Sequence, residues 1–465
     1  MDDVLAMLIA QQDEKSGMNL PVGKNRGQHS MNITLQRISL PEIGFWLILV
    51  SYLLLMFSSP MPIKIGMIEI AMGIGLTIGV SLSVFSFVAR KDGNLILPTL
   101  CIVYFLLTPF LIGVARGNSS SDIARDIVPL MFMTVLPLIL SQNRSAPHLR
   151  ALLVTILAVG LVSALQFHIA IVQNLGSMDS YISRFSPLSA VSENGVSKLA
   201  LMLRLVKLDI ANYAISLLKC QDPAVLFTAI YLLCLGLGLV LIKPRRLFLG
   251  LLALGGGAFC VYEFSALGMR AFDGLTLLAL IIYALHLVRV RKLPVGNLIV
   301  AGILGLLLTY TQIINFAGQM WAKNQVLGST HRLEELYAAF NSISESVITL
   351  LFGIGWGGVL ANPIYGGETT RFTHSLISFW LLKTGLVGFA MLVLFVILLF
   401  RRIDLSGIWT SGHRLAVFLA AFAAITIGLI FEPTYKMLSF GMVVGLLLAE
   451  LALPPAPHVQ PVGRC

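Results

Sequence analysis

From Ile43 to Ala452 the chain is a series of long apolar runs separated by short polar connectors. A helix rises about 1.5 Å per residue and needs about 20 residues to cross the hydrocarbon of a bilayer. Runs of that kind lie at 43–59, 65–88, 95–115, 123–140, 151–174, 222–242, 247–262, 272–288, 295–314, 374–400, 413–431 and 437–452. The pattern predicts an all-α polytopic membrane protein with about twelve transmembrane helices. No fixed-period repeat is visible, and neither is an inverted half-repeat. The first 40 residues are polar and mixed in charge, so a cleaved signal peptide is not expected.

The stretch 198–219 is apolar enough to resemble a span but carries Arg204, Lys207 and Asp209 at its centre. Loop charge decides its placement, because cytoplasmic loops carry the excess of lysine and arginine. With 198–219 lying along the outer surface as an amphipathic helix, the cationic connectors all fall on one side. These are Arg90–Lys91, Arg144 with Arg150, Lys243/Arg245/Arg246, Arg289/Arg291/Lys292 and Arg401/Arg402 with Arg414. The expected organisation is then a polar cytoplasmic segment at 1–42, helices one to five at 43–174, and an outer segment at 175–221. Helices six to nine follow at 222–314, a large outer loop at 315–373, helices ten to twelve at 374–452, and a cytoplasmic tail at 453–465.

Composition agrees with this picture. Of 465 residues, 57% are hydrophobic and 12% charged, about half the charged share of a soluble domain. A soluble enzyme, a disulfide scaffold and a disordered chain are all excluded as classes. The net charge of +10 follows from the positive-inside bias and does not point to nucleic acid. Five cysteines without a CxxC pair suggest neither a disulfide framework nor a zinc site.

The candidate chemistry collects on the outer face. Arg270, in the connector Glu263 to Asp273, either snorkels to head groups, pairs with Asp273, or binds phosphate through its planar fork. Arg184 opens the first long outer segment as a solvated charge or a ligand group, and Arg204 shares a helical face with Lys207. The second segment carries His331 and Arg332, then Phe352-Gly-Ile-Gly-Trp-Gly-Gly358, expected as a tight backbone path at the membrane surface. His374 follows at the outer boundary of the tenth span, either structural or a general base near neutral pH. Lys383 lies nine residues further on, as a site residue or as the partner of another buried polar group. With Glu69 and His168 it makes up the main intramembrane ionisable set expected. No Asp-x-Asp occurs, and the outer segments offer no metal-ligand cluster, so neutralising a diphosphate leaving group falls to arginines.

These strings resemble the O-antigen ligase and O-antigen polymerase superfamily of bacterial envelope glycosyltransferases. The carriers are the Arg332 helix, Phe352-Gly-Ile-Gly-Trp-Gly, and His374 followed ten residues on by Thr384-Gly-Leu-Val-Gly-Phe. Arg184 with Phe185 and Asn194 is similar to the family's earlier arginine segment, and Ser265 through Arg270 to its "SR" motif. Ser375 stands where the family has asparagine, and it tilts the reading towards polymerase.

The resemblance implies a metal-independent, inverting transferase without a cofactor, in the bacterial inner membrane with its site facing the periplasm. It would move a glycan from undecaprenyl diphosphate to a hydroxyl of a lipid A core or a growing glycan. By the same resemblance, Arg184 and Arg270 would hold the diphosphate, His374 would accept or orient the acceptor hydroxyl, and Arg332 would support them. Arg204 and His331 are further candidates on the outer face, and membrane lipids are the other partners expected. The competing expectation is a transporter or flippase for a lipid or sugar.

Overall fold

The computed structural model describes residues 39–58, 66–90, 96–142, 145–175, 218–242, 244–267, 269–291, 332–362, 369–401, 403 and 405–452. The expected span at 295–314, the amphipathic stretch up to residue 217, and the segments 1–38 and 453–465 lie outside them. So do Arg184, Arg204 and His331.

The described chain is almost wholly helical. Helix α1 (Leu40–Phe57, its last turn 3-10) is followed by α2 (Met67–Arg90), α3 (Ile96–Ala115) and α4 (Ser120–Leu140, with a π turn at Met131–Val135). Then come α5 (Ala146–Leu175), α6 (Pro223–Ile242), α7 (Leu247–Ala266) and α8 (Arg270–Arg291). Two short helices, α9 (Arg332–Ile343) and α10 (Val347–Phe352), precede a two-residue antiparallel hairpin in which Leu360 pairs with Thr370 and Ala361 with Thr369. Helices α11 (Leu376–Phe400), α12 (Gly412–Phe431, ending in a π turn) and α13 (Leu438–Leu451) complete the chain. Among the described residues ten helices are long and apolar enough to cross a membrane, and α13 is a shorter apolar helix.

The outer surfaces of these helices explain why they need a bilayer. On α3, Leu100, Val103, Leu107, Leu111 and Val114 are exposed while Cys101, Ile102, Phe105 and Gly113 are buried. Both faces of the helix are apolar, so the exposed one requires hydrocarbon where a soluble protein would carry charge. The chain is therefore a multi-pass membrane protein. Lipid tails are as apolar as the side chains, and close backbone approach takes over as the packing force. Between α1 and α2, a Cβ on Gly44 would stand 2.7 Å from the carbonyl oxygen of Gly79, and a Cβ on Gly79 would stand 2.8 Å from that of Gly44.

Contacts between helix ends define the two ends of the bundle. At one end, His148 lies 4.0 Å from Glu42, and His413 and Arg414 lie 3.9 and 3.7 Å from Glu450. At the other, the Tyr52 hydroxyl donates to Ser439 (2.9 Å) and the Tyr435 hydroxyl to the carbonyl of Thr373 (2.8 Å). The connector between α3 and α4 joins this second end, where Asn118 Nδ2 donates to the carbonyl of Trp356 (2.8 Å).

Two expectations need correction here. The glycine-rich segment 353–358 does not run along a surface; it is inserted among α3, α4 and α11 (see below). The connector from Glu263 to Asp273 is mostly helical, with α7 continuing to Ala266 and α8 starting at Arg270. Glu263 is fully buried on α7, with His168 Nδ1 at 2.8 Å from its carboxylate. In this apolar setting the partner of each buried charge decides its position, and hydropathy windows do not register partners.

Helix α11 is broken at Gly385, whose φ of 65° and ψ of −167° lie outside helical space. A Cβ there would stand 2.5 Å from the Gly353 nitrogen and from the Leu351 carbonyl carbon. Backbone meets backbone at this point, so neither side can give way. The variant Gly385→Ala is expected to cost more than about 2 kcal/mol through φ strain and overlap. A fall in melting temperature, or loss of monodisperse protein, checks this. Gly255→Ala on α7, where a Cβ meets nothing within 4 Å, is the control and leaves the protein as stable or more so.

Candidate functional site

The site begins with a defect in α3. Pro109 lies inside this helix and has no N–H, so the carbonyl of Phe105 has no intrahelical partner. The indole Nε1 of Trp356 donates to that carbonyl at 3.0 Å, and the Trp356 backbone N–H donates to the carbonyl of Pro109 at 2.9 Å. These contacts lie six and ten residues inside the Ala115 end of α3, about 9 and 15 Å along its axis. The glycine segment is thus a re-entrant stretch inside the helix bundle.

Such a stretch exposes peptide groups that an apolar bundle cannot solvate. The break in α11 supplies some of their partners. Ile354 N–H donates to the Leu382 carbonyl (2.9 Å) and Gly355 N–H to the Lys383 carbonyl (3.1 Å), both oxygens freed by the interruption at Gly385. Side chains supply the rest. Gly357 N–H donates to Asp126 Oδ2 (2.8 Å), and the Lys383 ammonium donates to the Gly358 carbonyl (2.5 Å). Lys383 Nζ also stands 2.6 Å from Asp126 Oδ2, and both side chains are buried. One turn earlier on α4, Asp122 receives Arg371 Nη1 at 2.5 Å. Three glycines of the segment, 353, 355 and 357, have positive φ, and Gly355 packs against Gly113 of α3 with no room for a Cβ.

Upon this floor sits His374. Its backbone N–H donates to Glu335 Oε2 (2.9 Å) and its ring Nδ1 to Glu335 Oε1 (3.1 Å). Glu335, on the first turn of α9, is buried and also accepts from Asn362 Nδ2 (2.6 Å). Burial pushes its carboxyl pKa up, but the hydrogen bonds from the ring and backbone of His374 and from Asn362 outweigh that and hold it below the ordinary value. An ionised carboxylate only accepts, so Nδ1 is the protonated nitrogen and Nε2 carries the lone pair of the neutral ring. Ser375 caps α11, its hydroxyl accepting from Ser378 N–H at 3.1 Å.

The connector between α12 and α13 closes the site. Tyr435 is anchored to Thr373, and the Lys436 ammonium lies 4.8 Å from the ring centroids of both Phe372 and Phe379 and 5.9 Å from that of Tyr435. Burial pushes the Lys436 pKa down to about 7; Asp126 opposes the shift, and Lys383 and Arg371 add to it.

The structure thus gathers His374, Lys383 and Arg371 with Glu335, Asp126, Asp122 and Lys436. Arg270 opens α8, which packs against α6, α7 and α12. Asp273, considered above as its partner, accepts the hydroxyl of Ser265. Arg332 opens α9 with its side chain outside the described set. Sequence reasoning did not single out Asp126 or Glu335. A signal for Asp126 was present, since Asp122 and Asp126 share a helical face at i, i+4 and Lys383 required a buried partner. No group of three or more His, Cys, Asp or Glu side chains that could hold a metal occurs among the described residues.

Two outcomes are expected. Asp126→Leu leaves Lys383 buried and unpaired and costs about 3–5 kcal/mol, whereas Asp126→Leu with Lys383→Met recovers a large part of it; melting curves in detergent check both. The folded-state pKa of Glu335 is lowered, so its stabilisation is full above the ordinary value of 4.5 and is lost as pH falls through the folded value. Limited proteolysis between α9 and α11 should therefore stay constant from neutral pH down to that value and rise below it.

Comparison of the chain with protein families, curated proteins and solved structures returns no match.

Proposed function

We propose that this chain is a membrane glycosyltransferase that moves a glycan from undecaprenyl diphosphate to an acceptor hydroxyl. The single observation that carries this reading is the Glu335–His374 dyad, set among the cations Arg371, Lys383 and Lys436. Glu335 fixes the imidazole so that Nε2 is the basic nitrogen. The acceptor hydroxyl attacks the anomeric carbon, its proton passes to Nε2, and the bond from that carbon to the diphosphate oxygen breaks with inversion. The diphosphate departs with added negative charge, and arginines and lysines stabilise it without a metal. Arg270 and Arg184 belong to this proposal as diphosphate ligands and Arg332, Arg204 and His331 as supporting groups.

In this reading the sided ends of the bundle are the cytoplasm, where Glu42, His148 and Glu450 lie, and the periplasm of a bacterial inner membrane, where His374 lies. The acceptor is a lipid A core for a ligase or a growing surface glycan for a polymerase. Ser375 supports the family likeness better than its identity suggests, because serine and asparagine are both strong N-caps and the residue caps α11.

A second reading, a transporter or flippase, draws on the pairing of half-buried His168 with buried Glu263 and on the broken helix α11. The sequence expectation of few intramembrane ionisable groups is too low: Asp126, Glu263 and Asp273 join Glu69, His168 and Lys383 on long apolar helices. In transporters, however, carbonyls freed by such a break face the cargo. Here those of Leu382 and Lys383 are occupied by Ile354 and Gly355.

Purified protein in liposomes with an undecaprenyl-diphosphate-linked oligosaccharide and an acceptor separates the two. New glycosidic linkages are expected, and His374→Ala should lower kcat by about 10²- to 10⁴-fold, with a smaller loss for Glu335→Gln. Full transfer by a normally folded His374→Ala protein removes His374 from the reaction. Substrate flux without new linkages establishes the transporter instead.

A further inference from the structure

Lys436 stands out in the charge balance of the site. Arg371 is paired with Asp122, Lys383 with Asp126, and Glu335 with His374. Among the described residues no carboxylate lies within ion-pair distance of Lys436, whose ammonium meets only aromatic rings. The acid that acts on it, Asp126, already uses Oδ2 for Lys383 and for Gly357 N–H.

Burial is the largest penalty on its charge, and Asp126 offsets only part of it. Phe379 lies in the first turn of α11, whose N-terminal peptide groups present partial positive charge. Lys383 and Arg371 nearby also disfavour its charge, although each is paired with an aspartate. A cation placed beside other cations and a helix N-terminus is destabilised unless an anion joins it, and aromatic faces compensate only part of that cost. Phe372 links this position to the proposed base: its ring lies against Lys436 on the one hand and, at 6.1 Å between centroids, against His374 on the other.

We propose that Lys436 is an anchoring cation for a phosphate group of a ligand that enters beside His374. The inference rests on the transferase reading for the identity of that ligand, the diphosphate of the lipid-linked donor; the phosphate of an anionic lipid headgroup has the same chemistry. The ammonium form is the binding form. With a pKa near 7 the charged fraction falls across neutrality, so binding weakens as pH rises from about 6 to 8. The charged and titratable groups acting on it among the described residues are Asp126 on α4, Arg371, Lys383 on α11, and Tyr435 on its own connector.

Calorimetric titration of the purified full-length protein with inorganic diphosphate tests this. Lys436→Gln is expected to weaken binding about tenfold or more with an unchanged melting temperature, as for loss of a charge-assisted contact. Lys436→Arg retains binding. The ratio of wild-type to Lys436→Arg affinity should fall about tenfold between about pH 6 and pH 8, which separates the lysine's titration from that of diphosphate itself. Equal binding by Lys436→Gln, or an affinity ratio constant with pH, overturns the proposal; the second measurement stands even if Lys436→Gln does not fold. Nanodiscs containing undecaprenyl diphosphate or phosphatidylglycerol then identify the source, the one whose binding depends on Lys436 being the ligand. Diphosphate binding that needs Lys436 in a protein that forms no glycosidic bond refutes the transferase reading and leaves this assignment in place.

Discussion

The ion pair between Lys383 and Asp126 does more than neutralise two buried charges. Each partner also binds the backbone of the re-entrant segment, Asp126 through the N–H of Gly357 and Lys383 through the carbonyl of Gly358. A peptide segment inside an apolar bundle is tolerated only when its polar groups are satisfied by protein. The pair therefore sets the depth of the segment, and with it the place where α9, α10 and the hairpin rest.

His374 inherits its position from that arrangement. The small apolar cluster of Ala339, Ile343, Ile354, Leu360 and Leu382 joins α9 to the inserted segment and to α11. Glu335 is thereby carried to the start of α11, where it binds both the backbone and the ring of His374. Packing fixes the carboxylate, and the carboxylate fixes the tautomer of the imidazole. The chemistry available at this end of the bundle is a consequence of how the glycines are seated.

Much of the scaffold was legible from hydropathy alone, because a span is a local property of about 20 residues. The helices Ile96–Ala115, Pro223–Ile242 and Gly412–Phe431 are examples. What escaped notice was non-local. The break at Gly385 lies within an unbroken apolar run, and only its approach to Gly353 gives it a reason. Likewise 353–358 reads as a tight backbone path at the membrane surface until the Phe105 carbonyl, exposed by Pro109, is recognised as a seat for Trp356. His374 and Lys383 could be singled out as polar residues in an apolar setting, whereas Glu335 and Asp126 acquire meaning only through them. Arg270, the other arginine named from the sequence, opens a helix packed on α6, α7 and α12.

The proline in α3 has a consequence for biogenesis. The Phe105 carbonyl and its acceptor-seeking partner Trp356 are separated by 251 positions in the chain. Ribosomes deliver α3 and α4 to the bilayer long before Trp356 is synthesised, so through most of translation this groove holds bare polar atoms that need water or a temporary companion. Assembly of the nascent protein is thus completed late, when the newest third of the polypeptide docks into a berth prepared by the first.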